Sequence, residues 1–212
     1  MIVALAGGVG GARLAQGLVQ VLEPADLALV VNVGDDFEHL GLRVCPDLDT
    51  VTYTLAGLQN PATGWGRANE TWNFMETLEH LGGETWFRLG DRDLALHVER
   101  TRRLAGDEPL SAITADFCAR FGIRHPVLPA TDQRLRTRVL TDVGELAFQD
   151  YFVRRRAEPV VRALHFEGAR QAQPAPALAA LIASRSVTGI VICPSNPWLS
   201  VDPVLAVPAI AT

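Results

Sequence analysis

This chain contains no lysine; all nineteen of its basic residues are arginine. That excludes a Walker-type phosphate loop, which needs a lysine on the phosphates, and Schiff-base chemistry through a lysine amine. Cysteine is scarce. Cys45, Cys118 and Cys193 are far apart, odd in number and form no C-x-x-C pair, so neither a disulfide framework nor a zinc site is indicated. A reduced, cytoplasmic setting is the expectation. No apolar run approaches the about 18 residues of a membrane span, so no membrane partner is expected. Positive charge is not in excess either: the net charge is −5. General nucleic-acid binding rests on neutralising phosphates and does not fit. A nucleotide ligand remains open, because local donors and a metal can oppose the global sign. The five histidines show no H-x-x-H spacing and adjoin no nucleophile motif.

What is present starts at the first residues. Met1 to Ala6 is apolar without a basic leader region and reads as a first strand. It runs into Gly7-Gly8-Val9-Gly10-Gly11, a glycine loop of the kind that lets backbone N–H groups approach a phosphate. Residues 2–6 and 27–33 are continuous apolar runs, as in strands buried on both faces of a parallel sheet. Between them Leu14, Leu18, Val21 and Leu22 mark one face of a helix. This is a β-α-β unit with the glycine loop at its first turn. With 212 residues, 48% of them hydrophobic, one domain with a sizeable core is expected.

Further along, Asp47 or Asp49 is suited to cap the next helix, with Leu48, Val51, Leu55 and Leu58 inward. Asn69 reads as the cap of a helix ending at Gly82-Gly83. Residues 91–105 and 109–121 read as two more helices, and about 137–153 as a hairpin turning at Asp142-Val143-Gly144-Glu145. A strand near 160–166, an Ala-rich helix at 177–184 and a strand at 189–193 follow. The fold class is therefore α/β: a Rossmann-like, mostly parallel sheet with helices on both faces. Residues from about 60 to 155 read as an inserted helical and hairpin subregion of a single domain. Strands ending in polar, Gly- or Pro-containing loops after Ala6, Val33 and Cys193 would form a ligand crevice at the sheet's carboxyl edge.

Four carboxylates flank that edge: Asp35 and Asp36 after the second strand, Asp47 and Asp49 at the next helix. Like charges so close together call for a cation or cationic ligand, although turn and capping roles would account for some of them. The glycine loop does not fit G-x-G-x-x-G, because Arg13 stands at the last position. A tight turn, or a nicotinamide site with Asp35 on a ribose, stays open. Arg88-Leu89-Gly90-Asp91-Arg92-Asp93 offers either an ion-paired turn or an arginine fork for an oxyanion. Arg100, Arg102 and Arg103 and Arg154 to Arg156 read as solvated faces. Pro194-Ser195-Asn196-Pro197 supplies a hydroxyl and an amide at a strand end. Trp65, Trp72, Trp86 and Tyr53 read as core, with Gly64-Trp65-Gly66 an alternative stacking face.

These segments, with Asn69-Glu70-Thr71-Trp72-Asn73 and Phe148-Gln149-Asp150-Tyr151-Phe152-Val153, occur in an order that resembles the 2-phospho-L-lactate transferase family (CofD, FbiA-type) of coenzyme F-420 biosynthesis. The resemblance runs along essentially the whole chain. It implies Mg2+-dependent transfer of a phospholactyl- or phosphoenolpyruvyl-type unit from a guanosine-diphosphate-linked three-carbon acid to the ribityl hydroxyl of the deazaflavin Fo, releasing GMP. It also implies a homodimer and members that continue past the point where this chain stops. By resemblance, Asp49 and Arg88 contact the deazaflavin, and Asp35 and Asp49 are the catalytic, magnesium-binding carboxylates. Gly7, Gly8, Gly10 and Gly11, with Pro194, Ser195 and Asn196, would hold the nucleotide, while Asp91 and Arg92 support the transferred group. A non-catalytic nucleotide-binding regulator resembling the gluconeogenesis-factor group is the alternative.

Overall fold

Two uninterrupted apolar segments set the architecture. Strands β1 (Ile2–Ala6) and β2 (Leu27–Val31) pair in parallel, and β2 is buried along its whole length. Helix α1 (Gly8–Val21) crosses between them. β5 (Val127–Pro129) adds to the far side of β2, and β9 (Gly189–Ile192) to the far side of β1, both in parallel. The order β5-β2-β1-β9 reverses direction at β1. The main core lies here, between the sheet, α1, α2 (Pro46–Leu55) and α6 (Pro176–Ala183). This is a computed structural model, and it describes residues 1–211.

Residues 60–155 are not one insertion, because β5 returns the chain to the main sheet. The first excursion carries α3 (Asn73–His80), α4 (Asp91–Leu104) and α5 (Leu110–Arg120). The second is a three-stranded antiparallel sheet ordered β7-β6-β8, with β6 Arg136–Thr141, β7 Gly144–Ala147 and β8 Val161–Glu167. β5 is short and carries a proline, which hid it from a periodicity reading. A small hairpin, β3 (Phe37–His39) with β4 (Leu42–Val44), also went unpredicted. It turns at Leu40 and Gly41, both with positive φ. α7 (Asp202–Leu205) follows β9 after a single π-helical turn. Among the described residues no helix is long and apolar enough to cross a membrane.

Two expected caps are not made. Neither Asp47 nor Asp49 caps α2; Cys45 holds the N-cap position and Pro46 is the first helical residue. Asn69 has φ 56° and lies outside α3. The N-terminus of α3 is instead capped from a distance: Asp91 accepts from the backbone N–H of Asn73 and Phe74, both at 3.1 Å.

Close approach at the sheet's carboxyl edge explains two glycines. A Cβ on Gly10 would collide with the Pro194 carbonyl oxygen, and one on Gly11 would lie 2.8 Å from Ser195 Oγ. Ser195 Oγ donates to the Gly7 carbonyl at 2.9 Å, closing the two loops together. Gly17, in the same helix, faces open space. Gly10→Ala should therefore lower stability by about 1–3 kcal/mol in urea unfolding. Gly17→Ala should be neutral or gain about 0.5–1 kcal/mol. Equal effects at the two sites would contradict this packing.

Candidate active site

The edge where β1, β2 and β9 end brings together the glycine loop, the Asn32–Asp36 turn and the start of α2. Asn32 is fully buried, and its side-chain amide organises the group. Its Nδ2 donates to Asp47 Oδ2 at 2.9 Å, to Asp35 Oδ1 at 3.4 Å and to the Leu199 carbonyl at 3.2 Å. Its Oδ1 accepts from the Gly34 N–H at 2.8 Å. Asp47 reaches across to the glycine loop, accepting from the Gly8 N–H at 2.7 Å. A carboxylate thus sits at the N-terminus of α1, where the unpaired N–H groups and helix dipole favour negative charge. Ser195 joins this edge through Gly7, and Asn196 accepts from the N–H groups of Trp198 and Leu199.

Asp35 and Asp47 are both almost fully buried. Burial drives the Asp35 pKa well above the usual carboxylate range, and the neighbouring Asp47 and Asp36 add to it. Burial likewise lifts Asp47 to about 6, against the hydrogen bonds from Asn32 and Gly8. Asp36, 1% exposed, is turned the other way, accepting from Cys45 Sγ at 3.1 Å with Arg43 Nε at 3.6 Å. Its pKa is also raised by burial. The carboxylate oxygens of Asp35 and Asp47, held by the Asn32 amide N–H groups, suit a hard divalent cation, which would offset the repulsion of the two acids.

Asp49 lies elsewhere. Positions two apart on a helix do not share a face, and Asp49 points to α4, where Arg100 grips its carboxylate with both Nη atoms. Arg100 is 3% exposed. Burial works against its charge, but Asp49, with Cys45 and Asp36, more than offsets that and raises its pKa. The expected Asp35–Asp49 pairing is therefore not formed in the geometry, and Asp47 stands beside Asp35 instead. His97 Nδ1 lies 3.7 Å from Asp49, and its Nε2 lies 3.3 Å from Asp93. Tyr53 Oη donates to Asp93 at 2.6 Å. Burial opposes ionisation of Asp93, yet His97 and Tyr53 outweigh it and hold its pKa low. Asp49, Asp93 and His97 could meet on one metal ion, but the Arg100 guanidinium already neutralises Asp49. Sequence reasoning missed Arg100 by assigning its run to a solvated face; its i, i+3 relation to His97 on α4 was the available signal.

Arg88 is exposed, with its guanidinium over the Trp72 ring, 4.3 Å from the centroid. Asp91 is committed to Thr71, Asn73 and Phe74, which lowers its pKa to about 2, the Thr71 hydrogen bond contributing most. The Arg92 N–H donates to Glu70 at 2.8 Å while its side chain faces solvent. Trp65, expected in the core, is 60% exposed.

The model of the family described as 2-phospho-L-lactate transferase CofD matches residues 2–212. The chain belongs to the CofD family. Phosphoenolpyruvate transferase of Streptomyces griseus is 48% identical over 216 residues, covering 99% of this chain and 67% of that protein. The enzyme of the same name from Streptomyces coelicolor is 47% identical, over 99% and 66%. This CofD-family chain thus spans about two thirds of the length of the curated relatives it matches. A crystal structure of a UPF0052-family protein from Bacillus halodurans superposes with a TM-score of 0.65 at 19% identity, over 99% of this chain and 63% of that one. That likeness establishes the Rossmann-like fold.

The raised carboxylates set a pH signature. A folded state that holds a proton more tightly than the unfolded chain loses stability as pH rises from the unfolded pKa through the folded one. For Asp35 that window opens at 3.8 and extends upward. In the absence of divalent cations, Asp35→Asn should match the parent Tm near about pH 4 and exceed it increasingly toward about pH 7. A Tm difference that is flat with pH, or of opposite sign, would show that Asp35 is not held this way.

Proposed function

We propose that this chain performs the group transfer its family membership suggests. A phospholactyl- or phosphoenolpyruvyl-type unit would move from a GDP-linked donor to the terminal ribityl hydroxyl of Fo, with GMP released. The supporting observation is the convergence of the glycine loop, Asp35, Asp47 and the Ser195 loop at the reversal point of a parallel sheet, where open α/β folds bind ligands. Such transfer is mostly positioning and charge neutralisation.

In this reading the N–H groups at the start of α1 and the Pro194–Asn196 loop hold the guanine nucleotide's phosphates. The Fo hydroxyl attacks the distal phosphorus in line; the new O–P bond forms as the bridging P–O bond breaks, that electron pair leaves on GMP, and the hydroxyl proton is released to solvent. Asp35 and Asp47, arranged by Asn32, would hold Mg2+. The ion would supply charge neutralisation on the phosphate oxygens. Asp49 and Arg88 take the deazaflavin side: Arg100 fixes the orientation of Asp49, and Arg88 with Trp72 provides a flat cationic wall for the ring. Arg92, in the first turn of α4 with its side chain facing solvent, supports the transferred phosphate. A homodimer and a cytoplasmic setting accompany the reading.

The test is GMP release. Incubation with the GDP-linked donor and Mg2+ should yield GMP only when Fo is added, together with a product containing Fo and the three-carbon acid. Nucleotide binding with no Fo-dependent release would favour a regulator on the same fold.

A further inference from the structure

The Gly34–Asp36 turn has a second side that the nucleotide reading does not use. Beneath it lies a cavity of about 280 Å3, lined by Asp36, Phe37, Trp86, Arg136, Thr137 and Gln149 among others. That is far more than the about 30 Å3 a single water occupies. Strand β6 hooks under the turn, with the Thr137 N–H donating to the Gly34 carbonyl at 2.6 Å. One turn therefore presents Asp35 to the glycine loop and Asp36 to this cavity.

Most charges around the cavity face a counter-charge, although among the described residues Glu38 forms no ion pair and Asp36 Oδ1 and Arg43 Nε are buried without hydrogen-bond partners. Arg138 and Arg134 both engage Glu167, at 2.7 and 3.3 Å. Arg43 lies by Asp36, and Asp150 is engaged by Arg155 at 3.1 Å. Glu38, also at the wall, belongs to the β3–β4 hairpin. Arg136 is different. It is only 7% exposed, its Nη2 is buried without a hydrogen-bond partner, and its Nη1 reaches only the neighbouring Leu135 carbonyl. Burial pulls its pKa below the usual guanidinium value, with Asp36 opposing. The Thr137 hydroxyl is likewise buried and unpartnered. Thr137, next along the strand, projects to the opposite face, where its hydroxyl lies against Gly34. Leaving a guanidinium arm unsatisfied is costly, and a planar carboxylate pairs with it through charge-assisted hydrogen bonds.

We propose that this cavity is a carboxylate subsite in which Arg136 receives the acid end of the three-carbon unit, with Trp86 and Phe37 as its flat apolar wall. The assignment rests on the transferase reading for its ligand and on the unpartnered Arg136 for its chemistry. It makes Arg136 a specificity residue: neutral three-carbon analogues lack the group it pairs with.

Binding without nucleotide provides the test, using phosphoenolpyruvate, pyruvate and inorganic phosphate as separate probes at constant ionic strength. Phosphoenolpyruvate and pyruvate should bind and alter tryptophan emission, a change that Trp86→Phe removes. Arg136→Gln should weaken both by about tenfold or more, and Arg136→Lys should recover part of the loss. Inorganic phosphate binding as tightly as pyruvate, with the same dependence on Arg136, would overturn the carboxylate assignment. Unchanged affinity in a folded Arg136→Gln protein would overturn the site altogether and leave Arg136 as a counter-charge to Asp36. If Fo-dependent GMP release is present, Arg136→Gln should raise the donor KM more than it lowers kcat; an unchanged KM also contradicts the subsite. Pyruvate binding that depends on Arg136 in a protein with no Fo-dependent release would sink the transferase reading and leave the subsite standing.

Discussion

One buried amide holds two buried acids at the end of a parallel sheet, and the rest of the edge is arranged around that contact. Asn32 donates to Asp35 and Asp47 from a fully buried position at the end of β2. An isolated buried carboxylate costs several kcal/mol, and two together repel, so the fold stores an unfavourable charge state there rather than a stabilising one. The raised pKa of both acids expresses that cost. A site destabilised in this way when empty binds a cation with the relief of that repulsion added to the coordination itself. Stability elsewhere comes from the sheet core of β1 and β2 and from the smaller cluster of Tyr53, Leu96, Ile113 and Phe117.

The helix α2 divides the work. Asp47 and Asp49 stand two positions apart and so serve opposite sides, one facing the glycine loop and the other Arg100 on α4. The Arg100–Asp49 pair is buried and satisfied from both partners; breaking such a pair by removing one member costs about 3–5 kcal/mol. It therefore fixes the orientation of Asp49 and ties α4 to α2. Asp91 does the equivalent for α3 by capping it from the first turn of α4.

Much of this was legible in the chain. Continuous apolar runs identified β1 and β2, because strands covered on both faces carry no alternation, and the glycine loop announced the first crossover; β9 was found by the same apolar signal but is an edge strand whose Ile190 and Ile192 are exposed, not a buried one. The acids were found as a group, but their partners were not. Composition says that Asp35, Asp36, Asp47 and Asp49 lie near one another; only helical angles say which two face each other, and two-residue spacing on α2 was the clue that pointed to Asp47. Arg100 and Arg136 were hidden for a different reason. Each sits among other arginines, and burial that depends on packing from distant segments is not written in local sequence; only the i, i+3 relation to His97 hinted at Arg100. The short strand β5 and the β3–β4 hairpin were lost because three residues carry no readable period.

The central claim is that Asp35 and Asp47, rather than Asp49 with Asp93 and His97, are the acids a divalent ion would join. Anomalous diffraction from crystals grown with Mn2+ and GDP tests it most directly. The account predicts a peak bridging Asp35 and Asp47 beside the glycine loop, with Arg100 still on Asp49. A peak among Asp49, Asp93 and His97, with Arg100 displaced, would contradict it.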